Sequence, residues 1–218
     1  MKIALLGAES TGKSVLAHAI ADALNAEGLP TVCIDEYLRE WCDQAQRTPL
    51  AHEQRHIAQT QMQRVQLAPS GHIVIADTSP LMTAVYSQMI FNDHALDAMA
   101  IAHQQSFDMT LLTGLDLPWI ADGLQRTGEH VRASVDLHIR GLLDEAHIRY
   151  QVIYGVNEQR LAHALYAIAT HAQRMTHPWA DRLAALTRKE LPVRWSGTCE
   201  TCGDGDCEHR LFTKLFTE

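Results

Sequence analysis

Five short apolar runs are spread along the chain, and longer segments with apolar residues at helical spacing separate them. Runs of four or five nearly uninterrupted apolar residues are typical of parallel strands that are covered on both faces. Strands that alternate with helices in this way predict an α/β fold with a parallel sheet. The predicted strands are Lys2–Leu6, Thr31–Ile34, His72–Ala76, Met109–Leu112 and Tyr150–Tyr154.

The segments between these strands predict helices that flank the sheet. The first runs to about Asn25, the stretch from Tyr37 begins a helix or a structured loop, and 54–66 predicts a polar surface helix. Helical sequence continues from Pro80 to about residue 105, with an interruption near Asn92. Two later helices carry the apolar positions Val135, Ile139, Leu142, Leu143 and Ala146, and Leu161, Leu165, Ile168, Ala169 and Ala172. Right-handed crossovers then place a ligand at the carboxyl edge of the strands.

A phosphate-binding pattern, G-x-x-x-x-G-K-[ST], joins the first strand to the first helix. Such a loop aims backbone N–H groups and a helix N-terminus at one anion, and its glycines allow close approach. Lys13 is expected to reach the β- and γ-phosphates of ATP, and the Ser14 hydroxyl to ligate Mg²⁺. The alternative is a glycine turn with a solvated lysine. The predicted nucleotide-binding residues are Gly7, Ala8, Glu9, Ser10, Thr11, Gly12, Lys13, Ser14 and Val15, together with Asn157 after the fifth strand.

Acidic residues follow the second and third strands. Asp77 is favoured to hold the Mg²⁺ shell beside Ser14; the alternative is a cap of the next helix, a task that Thr78 or Ser79 can share. Asp35 and Glu36 lie where a general base for an acceptor hydroxyl belongs, and we expect only one of them to face the cleft. Glu36 is favoured as that base. The alternative is a pair of exposed acids at a strand end.

The stretch from Gly114 to Gly128 predicts a mobile loop that closes over the transferring phosphate. Arg126 within it and Arg132 just beyond it are candidates to neutralise the charge of that group. The alternative is a surface loop with solvated arginines. Trp119 either anchors the loop or stacks on a flat ring.

The composition limits the classes of protein that the chain belongs to. With 218 residues and 46% hydrophobic residues, the chain can bury a sizeable core. A net charge of −8 disfavours a general nucleic-acid or acidic-membrane binder. The apolar run at the N-terminus is too short for a signal peptide, and no stretch is long enough to span a membrane. We expect a cytoplasmic protein with a small-molecule substrate, and an oligomer is possible.

A cysteine-rich tail ends the sequence. Its donor residues, Cys199, Cys202, Cys207 and His209, fall within eleven residues, and such a set of four is what a closed zinc site requires. We expect a structural Zn²⁺ that folds a zinc-knuckle-like segment. The alternative is a reduced, flexible tail. Cys33 and Cys42 lie apart from this cluster, and Cys33 is expected in the core of its strand.

The chain resembles the ribosylnicotinamide kinase family. The matching segments are the P-loop, Glu36-Tyr37-Leu38-Arg39-Glu40, Asp77-Thr78-Ser79 with Tyr86-Ser87, and the stretch from Pro118-Trp119 through Asp122 to Arg126. They follow the family's order and cover about residues 1–172. The resemblance implies a P-loop NTPase fold, a five-stranded parallel sheet flanked by helices. It also implies ATP-dependent phosphorylation of a nucleoside-like hydroxyl with Mg²⁺. The acceptor would contact Glu36, Tyr37, Arg39, Trp119 and Asp122.

These observations predict two parts of the chain, a kinase-like domain over 1–175 and an extension over 176–218. The expected activity is transfer of a phosphoryl group from ATP to a small hydroxylated metabolite, with nicotinamide riboside as the leading acceptor. A kinase for another nucleoside or metabolite would share every residue on the phosphate side. A nucleotide-binding regulator is a third hypothesis, which the intact carboxylates and arginines disfavour.

Overall fold

A five-stranded parallel sheet forms the centre of the molecule. The computed structural model describes residues 1–120 and 129–190. The strands are β1 (Lys2–Leu6), β2 (Thr31–Ile34), β3 (Ile73–Asp77), β4 (Met109–Thr113) and β5 (Gln151–Ile153). They lie in the order β2-β3-β1-β4-β5, and every neighbouring pair is parallel. The predicted α/β fold with a five-stranded parallel sheet is therefore confirmed.

Eight helices flank the sheet within the described part of the chain. They are α1 (Lys13–Ala26), α2 (Tyr37–Ala45), α3 (Ala51–Gln66), α4 (Pro80–Phe91), α5 (Asp97–Gln104), α6 (Glu129–Glu145), α7 (Asn157–Arg174) and α8 (Ala180–Glu190). The predicted interruption near Asn92 is the break between α4 and α5. Asn92 ends α4 in the left-handed conformation, which asparagine tolerates better than most residues.

Two apolar clusters cover the opposite faces of the sheet, and strand β1 contributes to both. Ile3 and Leu5 pack into the cluster formed with α1, α7 and α8, whereas Leu6 packs into the cluster formed with α4 and α6. Residues two apart on a strand share a face, so this division follows from the pleat. Burial on both faces explains why the strands are almost entirely apolar.

Three strands differ from the prediction at their ends, and β3 also begins one residue later than predicted. Strands β3 and β4 each continue by one polar residue, Asp77 and Thr113, and β5 is shorter than the apolar run that predicted it. Parallel pairing uses backbone groups, so a polar side chain at the end of an apolar run need not end the strand. Both additional residues lie at the carboxyl edge, where we expected the site.

Helix α8 follows the predicted domain boundary after residue 175, yet it packs on the same core as the sheet. Leu183 and Leu186 belong to the cluster with α1 and α7, and Arg182 Nη2 donates to the Glu27 carbonyl oxygen at 2.6 Å. Residues 180–186 therefore share their apolar contacts with the sheet, while the two-part division of the chain stays a prediction. Within the described ranges, none of the helices combines the length and hydropathy needed to cross a membrane.

Candidate functional site

The P-loop turns tightly between β1 and α1 at the carboxyl edge of the sheet. Gly7, Ser10 and Gly12 all have positive φ angles, of 151°, 55° and 72°. Inside the loop, Thr11 Oγ1 donates to the Ala8 carbonyl oxygen at 2.7 Å, and Lys13 Nζ donates to the same oxygen at 2.9 Å. The loop thus holds its lysine at the N-terminus of α1, where an anion is favoured.

Position 7 requires a glycine because Thr113 of β4 lies too close to it for a side chain. A Cβ built on Gly7 would lie 1.9 Å from Thr113 Oγ1 and 3.0 Å from Thr11 Oγ1. Thr113 Oγ1 lies within hydrogen-bonding distance of Thr11 Oγ1, at 2.7 Å, and of the Leu6 carbonyl oxygen, at 3.2 Å. This buried pair of threonines fixes the loop against the sheet and leaves no room for a side chain at residue 7.

Gly7→Ala is therefore expected to destabilise the protein by about 1–3 kcal/mol, through overpacking, and to abolish ATP binding. The matched control is Gly141→Ala in α6, where a Cβ would meet nothing within 4 Å. Alanine is the better helix former, so the control is expected to gain about 0.5–1 kcal/mol. Urea unfolding with a fluorescent ATP titration measures both effects. Undiminished ATP binding by Gly7→Ala would contradict the assigned loop geometry.

Asp77 ends β3 directly beside the P-loop strand. It pairs in register with Leu5 of β1 and is only 2% exposed. Its Oδ1 is buried without a hydrogen-bond partner among the residues that the structure describes. The cap of α4 is instead Ser79, whose Oγ accepts from the Leu81 amide at 3.2 Å. Asp77 and Ser14 line the same cavity, and a buried carboxylate oxygen with no partner among the described residues fits a Mg²⁺ ion, which prefers oxygen ligands.

A cavity of about 400 Å³ opens beside these two residues. It brings together five of the predicted site residues, Ser14, Asp35, Glu36, Arg39 and Asp77. The rest of its wall comes from α1 and α2, with His18, Glu40, Asp43 and Gln44. The cavity therefore carries five carboxylates against a single guanidinium.

Asp35 and Glu36 both contribute to the wall of this cavity, although we expected only one of them to face it. The alternation of side chains applies within a strand, and β2 ends at Ile34, so it does not separate these two residues. Their surroundings differ. The Asp35 side chain is 66% exposed and lies 3.0 Å from His18 Nε2, whereas the Glu36 side chain is 13% exposed with Arg39 Nε at 3.9 Å.

Cys33 is the third residue of β2 and lies two residues before Asp35 in the sequence. Because β2 is an edge strand, the side chain is only partly buried, and it packs against the apolar cluster formed with α1 without being fully enclosed in it. Burial, reinforced by the carboxylates of Asp35, Asp77 and Asp22, raises the pKa of the Cys33 thiol to about 12. The free residue therefore carries a neutral thiol at neutral pH.

The sequence matches a known family, and the fold matches a solved structure. A family model for an AAA domain matches residues 2–160. The chain belongs to this AAA domain family. The crystal structure of NadR protein in complex with NR shares the fold, with a TM-score of 0.61 and 18% identity. The match covers 79% of this chain and about half, 51%, of that one. No curated protein sequence matches the chain. The resemblance to kinase-like P-loop proteins is thus confirmed at the level of the fold.

Other predicted residues of this AAA domain lie outside the cavity. The Tyr37 ring lies beneath Arg64, whose Cζ is 4.6 Å from the ring centroid. Trp119 is partly buried, and Asn157 is exposed at the start of α7 with a φ of 47°. Six predicted site residues lie outside the described residues, namely Asp122, Arg126, Cys199, Cys202, Cys207 and His209.

The Arg132 side chain is buried and contacts the segment after β4, so it is not the solvated surface arginine of the alternative prediction. It is 5% exposed, and its Nη1 donates to the Leu117 carbonyl oxygen at 2.9 Å. Its Nε and Nη2 are buried without a hydrogen-bond partner in the described part of the chain. The same segment is attached to the P-loop, because Ser10 Oγ donates to the Ile120 carbonyl oxygen at 2.6 Å. Among the described residues, Arg132 is therefore a buried cation with two unpartnered nitrogens, and it contacts the segment that is attached to the P-loop.

Sequence reasoning missed Arg160, which joins three loops at the carboxyl edge. Its Nη2 donates to the carbonyl oxygen of Thr11 at 3.0 Å, and its Nη1 donates to Gly155 O at 2.9 Å and to Asp116 Oδ1 at 3.0 Å. The Arg160 side chain is 4% exposed. The signal was its position on the buried stripe of α7, four residues before Ala164, where a charged residue needs a buried partner.

Proposed function

We propose that this AAA domain transfers the γ-phosphoryl group of ATP to a hydroxyl group of a small metabolite. The observation that carries the proposal is the shared cavity of Ser14, Asp77 and Glu36. It joins candidate ligands of a nucleotide-bound cation to a shielded carboxylate beside the P-loop. Phosphoryl transfer needs positioning and charge stabilisation more than covalent chemistry, and this arrangement supports both.

In the proposed mechanism, the P-loop amides and Lys13 hold the β- and γ-phosphates. Ser14 and Asp77 would hold Mg²⁺, which supplies charge neutralisation at the phosphates when it is bound. Glu36 accepts the proton of the acceptor hydroxyl, whose oxygen attacks the γ-phosphorus. The bond from that phosphorus to the bridging oxygen breaks, and ADP leaves with the electron pair. Asp35 orients the acceptor at the mouth of the cavity.

We propose that two arginines complete the site. Arg132 is buried and contacts the segment that touches the P-loop, and its Nε and Nη2 have no partner among the described residues, so we propose that they bind a phosphate oxygen. We propose Arg126 as its partner on a closing loop, with Trp119 and Asp122 on the acceptor side and Asn157 near the base. Tyr37 and Arg39 are proposed as acceptor contacts at the start of α2.

The charge of the cavity supports a cationic acceptor. Five carboxylates and one guanidinium line it, and Arg64 outside it pairs with Glu40 at 2.7 Å. A negative cavity attracts a cation and disfavours an anionic substrate. The pyridinium ring of nicotinamide riboside is such a cation, and its ribose supplies the hydroxyl. We propose nicotinamide riboside as the acceptor.

The test is a panel of acceptors assayed with Mg·ATP for ADP release and for the phosphorylated product. Nicotinamide riboside is expected to turn over at least ten times faster than its neutral dihydro form, and faster than uridine, cytidine or adenosine. A neutral nucleoside that reacts fastest would replace the proposed acceptor and leave phosphotransfer intact. Release of ADP without a phosphorylated product from any acceptor would contradict the kinase assignment, because water alone would then be the acceptor.

A further inference from the structure

Three potential metal-binding side chains converge at the open side of the cavity. His18 of α1, Cys33 of β2 and Asp35 just after β2 place one donor atom each within 4.8 Å of the others. His18 Nε2 lies 3.0 Å from Asp35 Oδ1, and Cys33 Sγ lies 4.0 Å from the same oxygen. His18 lies on α1, which follows the P-loop, and Cys33 lies on β2, which is paired with β3; Asp35 directly follows β2.

The donor set differs from that of the magnesium ligands. Imidazole nitrogen, thiolate sulfur and carboxylate oxygen together favour zinc and its first-row neighbours, whereas Mg²⁺ takes oxygen ligands alone. Bond lengths of about 2.0–2.3 Å put the donors of a tetrahedral ion roughly 3.3–3.8 Å apart. The two separations to Asp35 Oδ1, 3.0 and 4.0 Å, lie close to that spacing, and the separation of His18 from Cys33 is within 4.8 Å. The His18 side chain is 54% exposed, so it is free to complete the adjustment.

We propose that His18, Cys33 and Asp35 form a three-ligand site for Zn²⁺ at the entrance of the acceptor cavity. As the metal–sulfur bond forms, the thiol proton of Cys33 leaves to solvent. The fourth position faces the cavity, since His18 and Asp35 both line it. A bound Zn²⁺ places a fixed positive charge where a cationic acceptor enters, so zinc is expected to inhibit phosphotransfer. The inhibition rests on the proposed function; the binding does not.

The binding test uses the full chain with Cys199, Cys202 and Cys207 replaced by Ser, so that the proposed zinc tail does not contribute. Titration with Co²⁺, followed by the sulfur-to-cobalt charge-transfer band, is expected to show one equivalent and one thiolate per chain. Competition with Zn²⁺ gives the affinity for zinc. Adding Cys33→Ser should remove the band, and His18→Ala should weaken binding at least about tenfold. The matched control is Cys42→Ser, at the other cysteine that the structure describes, which is buried in α2.

The Co²⁺ titration tests the proposed metal site independently of the proposed kinase activity. An unchanged charge-transfer band in the Cys33→Ser chain, or no band in the parent chain, would overturn the site. If Cys33→Ser fails to fold, as judged by circular dichroism, the exposed His18→Ala variant decides. Zinc is then expected to raise the apparent KM for the acceptor in the parent chain and not in Cys33→Ser. Absence of turnover with every acceptor would remove the proposed function and leave the Co²⁺ result standing.

Discussion

Glu36→Gln is expected to lower phosphotransfer by about two to four orders of magnitude while leaving ATP affinity nearly unchanged. The amide keeps the size and hydrogen-bonding reach of the side chain but cannot accept the hydroxyl proton. Glu36 is the more shielded of the two adjacent acids, at 13% exposure, and it does not belong to the P-loop. Single-turnover kinetics with saturating acceptor, together with an ATP titration, separates the chemical step from nucleotide binding.

Asp35→Asn is the matched control. Its side chain is 66% exposed and faces His18, so we expect a loss below about tenfold that appears mainly in the KM of the acceptor. The reverse pattern, with Asp35→Asn inactive and Glu36→Gln active, would move the base to Asp35. Full activity in both variants would mean that neither carboxylate takes the proton. A loss of ATP binding in Glu36→Gln would contradict the placement of this residue on the acceptor side.

Arg160→Ala is expected to destabilise the protein by about 3–5 kcal/mol, because it leaves Asp116 and the carbonyl groups of Thr11 and Gly155 without their buried cation. The same change should weaken ATP binding, since Arg160 holds the Thr11 carbonyl of the P-loop. Lysine carries the charge on a single ammonium and cannot reproduce the forked contacts, so Arg160→Lys is expected to recover only part of the stability. Urea unfolding with and without ATP measures both effects.

Arg174→Ala, at the exposed end of the same helix, provides the control for loss of an arginine. A surface substitution of this kind is expected to change stability by less than about 0.5 kcal/mol. Equal stability of the Arg160 and Arg174 variants would show that the buried contacts contribute nothing net. A destabilised Arg160→Ala with wild-type ATP affinity would separate the structural role of Arg160 from support of the P-loop.

Much of the sheet was predictable because turn-forming residues bound its apolar runs. The first strand is bounded by Gly7 and the second lies between Pro30 and Asp35, and the ranges predicted for β1 and β2 match the structure. Asp77 and Thr113 were placed after their strands, because a polar side chain carries no periodic signal of strand continuation. The predicted Ser14, Asp77 and Glu36 meet at one cavity because a parallel sheet gathers the ends of its strands at one edge.

Contacts between distant residues were not predictable from spacing. Arg160 and Thr11 are 149 residues apart, and only the packing of α7 beside the P-loop brings them together. The pairing of His18 with Asp35 likewise depends on the distance between α1 and the end of β2. Spacing patterns identify motifs whose parts lie in one segment. A chain of this length makes many other polar contacts, and those depend on tertiary packing.

The strand order assigns the two halves of the site to different parts of the sheet. The P-loop follows β1, which has a neighbour on each side, whereas Asp35 and Glu36 follow β2 at the margin. Changes near β2 therefore disturb fewer backbone pairings than changes near β1. A scaffold of this kind lets the acceptor preference diverge among descendants of one ancestral gene, while the machinery that handles the triphosphate is inherited intact.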